Sequence, residues 1–205
     1  EGTLWDLAGI YASMARTLNH FQNYNGRYNS SDFHSPAYIN NLKEELLQEI
    51  ILEEGSNLTA SSIWLTFESM VEVSRPDEEV NWQSFSSLGK IAWKTGTSFG
   101  SRDGWAIGAT PDYVVAVWVG NASGEGRPGL TGIGTAGPIL FDIFNLLQPK
   151  GWFQPPLDEM SRVPVCRQSG FRALDICENI DSVWIQNPGL KTGPCPFHRL
   201  IHLDK

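Results

Sequence analysis

The chain has 205 residues, 41% of them apolar, with a formal net charge of −8 and a pI near 4.9. That length supports one sizeable core or a domain with an appendage, and an acidic surface disfavours phosphate backbones, so no nucleic-acid partner is expected. No apolar run is long enough to span a bilayer and no basic-then-apolar leader opens the chain, so a membrane anchor or export signal is expected only outside it.

Residues 3–18 read as a helix. Leu4, Leu7, Ala8, Tyr11, Met14, Ala15 and Leu18 recur at helical spacing, and Thr3 with Asp6 forms a capping signal. Residues 21–34 are rich in Asn, Ser and Tyr and read as a loop. Ser35-Pro36 then reads as an N-cap and first helical residue, opening a helix towards Glu54 that Gly55 would stop. Its Glu44, Glu45, Glu49, Glu53 and Glu54 suit a solvated face and offer no metal-ligand geometry. Residues 59–72 read as a further helix on the stripe Ile63, Phe67, Met70 and Val71, broken by Arg75-Pro76-Asp77.

The texture then changes. Residues 90–97, 105–109 and 113–119 are short runs rich in Val, Ile, Trp and Thr, as strands are. Thr110-Pro111-Asp112 joins the last two as a tight hairpin signal. A Gly-rich loop over 120–134 precedes a closing helix marked by Ile139, Leu140, Ile143, Phe144 and Leu147, with Pro138 near its start. The expected class is α+β, helices packed on an antiparallel sheet. From residue 150 the chain is Pro-broken with little periodicity. The expected division is a domain over 1–149 and a linker with a Cys-containing extension over 150–205.

The stretch that points to chemistry is Lys94-Thr95-Gly96-Thr97-Ser98, at the end of a strand and followed by Arg102-Asp103-Gly104-Trp105. A lysine beside a serine nucleophile supplies positive charge and moves protons. Small hydroxyl residues hold a carboxylate by charge-assisted hydrogen bonds. A glycine lets a substrate backbone come close, and a strand-edge N–H can face the oxyanion of a tetrahedral intermediate. Arg102 and Asp103 suit a brace for the turn, and Trp105 suits the core. Lys-Thr-Gly is a known companion of Ser-x-x-Lys in penicillin-binding proteins and class A β-lactamases.

With its flanks, from Ile91-Ala92-Trp93 to Ala106-Ile107-Gly108, this region resembles the third-motif region of class A penicillin-binding proteins. Val117-Trp118-Val119-Gly120-Asn121 does too, as do Trp5-Asp6-Leu7-Ala8-Gly9, Ile63-Trp64-Leu65-Thr66, Leu140-Phe141-Asp142-Ile143-Phe144, Trp152-Phe153, Val165-Cys166-Arg167-Gln168-Ser169-Gly170 and Cys195-Pro196-Phe197-His198. The resemblance leaves out roughly residues 21–58.

The resemblance implies the C-terminal portion of a β-lactamase/transpeptidase-like fold and a part in peptidoglycan synthesis. The reaction would be serine acyl transfer that cross-links stem peptides, in a protein that also carries a glycosyltransferase and acts on the periplasmic side of the bacterial inner membrane. Stem peptides and β-lactams are the implied ligands, with cell-envelope proteins as further partners. It implies Lys94 for the proton network, Thr95, Gly96, Thr97 and Ser98 for the substrate, and the Thr97 N–H for the oxyanion. No cofactor and no metal are implied at this site. A carboxypeptidase or β-lactamase-like hydrolase, and a non-catalytic envelope-binding module, are the competing readings.

Four features sit apart from the pattern. Ser-x-Asn is absent. Ser87-Leu88-Gly89-Lys90 spells Ser-x-x-Lys too close to Lys94 to be the nucleophile, so the catalytic serine is expected upstream of these residues and the isolated chain is expected to be inactive. Gly124-Glu125-Gly126-Arg127-Pro128-Gly129 spells a dinucleotide fingerprint without the parallel βαβ unit it needs. Finally, Cys166, Cys177 and Cys195 are odd in number. An exported protein would favour a disulfide, such as Cys177 with Cys195. Free thiols, or a three-Cys, one-His zinc site with His198, are the alternatives.

Overall fold

The computed structural model of the chain describes residues 2–38, 50–73 and 89–199. Contacts divide the chain into two compact units, Glu1–Gln154 and Pro155–Lys205.

In the first unit, helix α1 (Leu4–Asn23) opens with the expected capping box between Thr3 and Asp6. It runs five residues past the expected stop, because Phe21 is buried and packs on Tyr28 with ring centroids 5.1 Å apart, which extends the apolar face by another turn. Strands β1 (Tyr28–Asn29) and β2 (Leu52–Glu53) pair antiparallel. The expected helix from Ser35 to Glu54 fails at both described ends. Residues 35–38 are irregular and Leu52–Glu53 is strand; the stretch 39–49 lies outside the described residues. Just before Ser35 the chain is held to α1, where Arg16 donates from Nε to Asp32 O at 3.0 Å and from Nη2 to His34 O at 3.3 Å. Helix α2 (Ala60–Val71) is capped by Thr59 and buries the expected Ile63, Phe67, Met70 and Val71.

Strands β3 (Ala92–Thr97), β4 (Asp103–Ala109) and β5 (Val114–Gly120) form one antiparallel sheet in that order. The β4–β5 turn is the expected hairpin, closed by Thr110 N–H to Tyr113 O at 2.9 Å. Side chains alternate between faces. Trp93, Thr95 and Thr97 share one face with Gly104, Ala106, Gly108, Val115 and Val117; Lys94 and Gly96 share the other with Trp105 and Ile107.

Helix α3 (Gly137–Leu147) covers the first of these faces, and Ile91, Trp93, Ala106, Val117, Leu140, Phe141 and Phe144 make the core. Trp93 meets Phe141 edge-on at 4.9 Å and donates its indole N–H to Val73 O at 3.3 Å. Close packing here depends on Gly108, where a Cβ would lie 2.6 Å from the Phe144 ring. The sheet–helix order is therefore α+β, as expected.

The second unit has two strands that the sequence does not announce, β6 (Met160–Cys166) and β7 (Ile180–Gln186), paired antiparallel from Met160↔Gln186 to Cys166↔Ile180. Pro164 and the exposed run Ile180–Ser182 hide them. Pro164 is tolerated because each strand of a two-stranded sheet is an edge.

Candidate functional site: the Lys94 strand and the thiol cluster

β3 is an edge strand of its sheet. Ser98 N–H donates to Asp103 O at 3.0 Å. Antiparallel ladders alternate, so the N–H groups of Thr95 and Thr97 turn to the opposite edge, which pairs with no strand among the described residues. On the Lys94 face lies a cleft of about 320 Å³, lined by Leu4 and Leu7 of α1, by Lys94, Thr95 and Gly96, and by Trp105, Ala106 and Ile107. Lys94 is exposed, and its Nζ donates to Thr95 O at 2.6 Å. It is the one charged residue among the described cleft residues, so the cleft offers a cation on an apolar bed.

The other expected site residues are held differently. Thr97 lies across the sheet from Lys94, and its hydroxyl accepts Gly132 N–H at 2.9 Å. It keeps its own O–H to donate. This contact exists because a π-helical turn over Gly132–Ala136 drops onto the strands. A Cβ at Gly132 would lie 2.3 Å from Gly96 O and 2.6 Å from Trp105 O, so only glycine fits. Ser98 spends its hydroxyl on Asp103, donating to Oδ2 at 2.9 Å and accepting the Asp103 N–H at 2.8 Å. Asp103 Oδ1 accepts the Trp118 indole N–H at 2.9 Å, so Asp103 braces the turn as expected. Trp105 departs from its expected core place. It is half-buried, meets Trp118 edge-on and lines the cleft, because its register places it on the Lys94 face.

The fingerprint-like Gly124–Gly129 stretch is an irregular loop that folds onto the β3–β4 turn, with Arg127 N–H bonded to Ser101 O at 3.0 Å. The sheets described around it are antiparallel throughout, so the βαβ frame of a dinucleotide site is missing among the described residues. Ser87 and Leu88 of the Ser-x-x-Lys lookalike lie outside them.

In the second unit the disulfide expectation does not hold: Cys166, Cys177 and Cys195 are all free and all buried. Their sulfurs gather around one ring nitrogen, His198 Nδ1, at 3.6, 3.4 and 3.2 Å respectively. Burial opposes ionisation of the Cys195 thiol, but the Ser169 hydroxyl, the His198 and Phe197 backbone N–H groups and the His198 ring bring it down to about 5. Cys166 is likewise lowered against burial, by Ser169 and by the backbone N–H groups of Ser169 and Gln168. Burial and the neighbouring sulfurs push Cys177 up. The Cys195 contact and the nearby thiolate charge raise His198. Sequence spacing offered the ligand types here but not their meeting.

No family model matches the chain. Among curated proteins, 96 residues, 47% of this chain, are 32% identical to penicillin-binding protein 1C of Escherichia coli (strain K12). Another match covers 125 residues, 56% of this chain, at 31% identity to penicillin-binding protein 1A of Clostridium perfringens. These segments amount to 12% and 15% of the two relatives' own lengths. Over about half its length the chain is therefore related to the class A penicillin-binding proteins.

Proposed function

We propose that the chain is the C-terminal part of the transpeptidase domain of a bifunctional peptidoglycan synthase, with a β-lactamase/transpeptidase-like fold over 1–149 and an extension over 150–205. The observation that carries this reading is Lys94-Thr95-Gly96-Thr97 on an edge strand beside the Leu4–Trp105 cleft, in a chain related to penicillin-binding proteins. No helix among the described residues is long and apolar enough to cross a membrane. The protein's place, under this reading, is the periplasmic side of the inner membrane.

In the reaction, a serine outside these residues attacks the carbonyl of the D-Ala-D-Ala bond of a stem peptide, and D-alanine leaves. The amine of a neighbouring stem then takes the acyl group and restores the serine. Lys94 supplies the charge that steers the protons. The edge N–H of Thr97 faces the oxyanion. Thr95 and Thr97 serve the substrate carboxylate, Gly96 gives the peptide room, and Ser98, its hydroxyl bound to Asp103, holds the end of the substrate-binding strand. β-Lactams acylate the same serine. Lys94 and the hydroxyl of Thr97 lie on opposite faces of β3, so the strand acts through both faces and its free edge rather than through one surface.

Fluorescent penicillin and a denaturing gel test the reading. The isolated chain is expected to stay unlabelled, since it lacks the activated nucleophile, and the full-length protein to label. A labelled band from the isolated chain overturns the placing of the nucleophile. In the full-length protein Lys94→Ala is expected to slow acylation by about 10²-fold or more. Stability should stay within about 0.5 kcal/mol, because the side chain is exposed. Labelling at the wild-type rate would remove Lys94 from the mechanism.

A further inference from the structure

The acyl-transfer reading leaves the thiol cluster of the second unit without a role. Cys166 closes β6, Cys177 lies between β6 and β7, and Cys195 and His198 lie on one turn beyond β7. Their four ligand atoms all lie within 4.8 Å of one another. A tetrahedral ion with metal–sulfur bonds of about 2.3 Å and metal–nitrogen bonds of about 2.0 Å has S···N edges of about 3.6 Å. The three sulfurs stand 3.2–3.6 Å from Nδ1. The three S···N distances are close to those edges, and the sulfurs lie within 4.8 Å of one another, near enough to share one ion with the ring nitrogen.

We propose that Cys166, Cys177, Cys195 and His198 bind one zinc ion through three thiolates and the Nδ1 of the imidazole, and that this site is the structural centre of the Pro155–Lys205 unit. Binding displaces the thiol protons to solvent and requires neutral imidazole. Softer and harder ions fit less well. Oxygen-seeking calcium and magnesium reject sulfur, and four-coordinate ligation by thiolate and imidazole suits zinc.

The surroundings of the sulfurs support ligation independently of the distances. The backbone N–H groups two and three residues after Cys166, those of Gln168 and Ser169, face its sulfur. Those of Phe197 and His198, at the same offsets, face the sulfur of Cys195. Leu174 N–H donates to Cys177 Sγ at 3.3 Å, and the Ser169 hydroxyl to Cys195 Sγ at 3.2 Å. Such donors stabilise thiolate charge around a metal. A disulfide carries no charge to stabilise, would use two sulfurs, and would leave the third and the imidazole without purpose.

The site is structural, not catalytic. Four protein ligands fill a tetrahedron and leave no open position, and the three cysteines are 0%, 5% and 3% exposed. The unit also needs a staple. The buried members of its thiol cluster are the three cysteines themselves, flanked by Ala173 and Leu174. A unit this small buries too little apolar surface to be stable on that alone. Zinc would tie β6, the segment before β7 and the 195–198 turn together.

The test uses the whole 205-residue chain, purified without chelator under reducing conditions with zinc supplied. Metal content and thiols titrated after denaturation are measured together. One zinc per chain with three thiols is the expected result. One thiol and no metal, or three thiols and no metal, overturns the proposal. His198→Cys is expected to keep one zinc, while His198→Ala and Cys195→Ser lose it. Should those last two fail to fold, cobalt(II) substitution of the unaltered chain decides. Intense visible bands with thiolate-to-metal charge transfer mark a tetrahedral sulfur site, and a weak octahedral spectrum overturns it. Each readout is independent of penicillin labelling, so the zinc proposal and the transpeptidase reading can fail separately.

Discussion

Around Trp93 the interior is aromatic and aliphatic, with Phe141, Phe144 and Leu140 of α3 fitted to the sheet. Around Cys166 it is sulfur and imidazole, with two small aliphatic neighbours. The first interior gains its stability from burial, which grows with area and needs many residues. The second gains it from a few directional contacts, which a short unit can supply. Backbone requirements differ in the same way. The sheet needs glycines where helix and turn press on strands, whereas the thiol unit needs N–H groups aimed at sulfur.

Loss of the ligated centre should have the largest effect, as tested above for Cys195→Ser, because beyond the thiol cluster the Pro155–Lys205 unit buries few side chains, Pro156, Met160 and Val163 among them. Next comes Trp93→Ala. It removes a fully buried ring and orphans Val73 O, so denaturant unfolding should show a loss of about 3–5 kcal/mol. Zinc content should not change, since its four ligands are held by their own turns. A loss of zinc on Trp93→Ala would break the contrast between the two interiors. Gly108→Ala should cost about 1–3 kcal/mol through overpacking against Phe144; a neutral result in the same assay would show that α3 can shift away. The smallest effect is Thr59→Ala, which removes the hydroxyl that accepts Ser62 N–H at 3.2 Å at the start of α2. It should lower stability by about 1 kcal/mol, and no change would show that water replaces the cap.

Much of the first interior could be read from spacing. The stripe of α2, the Thr3–Asp6 cap and the Thr110-Pro111-Asp112 hairpin are local patterns, and local patterns survive folding when the tertiary environment agrees with them. The bounds expected for the helix from Ser35 to Glu54 do not hold where the chain is described, since 35–38 are irregular and Leu52–Glu53 pairs with Tyr28–Asn29, a partner far along the chain that no periodicity announces. β6 and β7 were missed for a related reason. Edge strands of a small sheet need neither strict alternation nor freedom from proline.

The two candidate sites divide along the same line. Lys94-Thr95-Gly96-Thr97 is contiguous, so the sequence alone determined which groups stand side by side on one strand, and period-two alternation places Lys94 and Thr95 on opposite faces. Which edge of β3 stays free, and that Gly132 descends onto Thr97, were decided only by the tertiary structure, because both depend on strand order and on a turn 35 residues away. For the thiol cluster the sequence determined the ligand types and their odd number. Only the fold could bring Cys166 within 3.6 Å of a histidine 32 residues later and leave the three cysteines unpaired, since that is decided by distances in space and not by spacing along the chain.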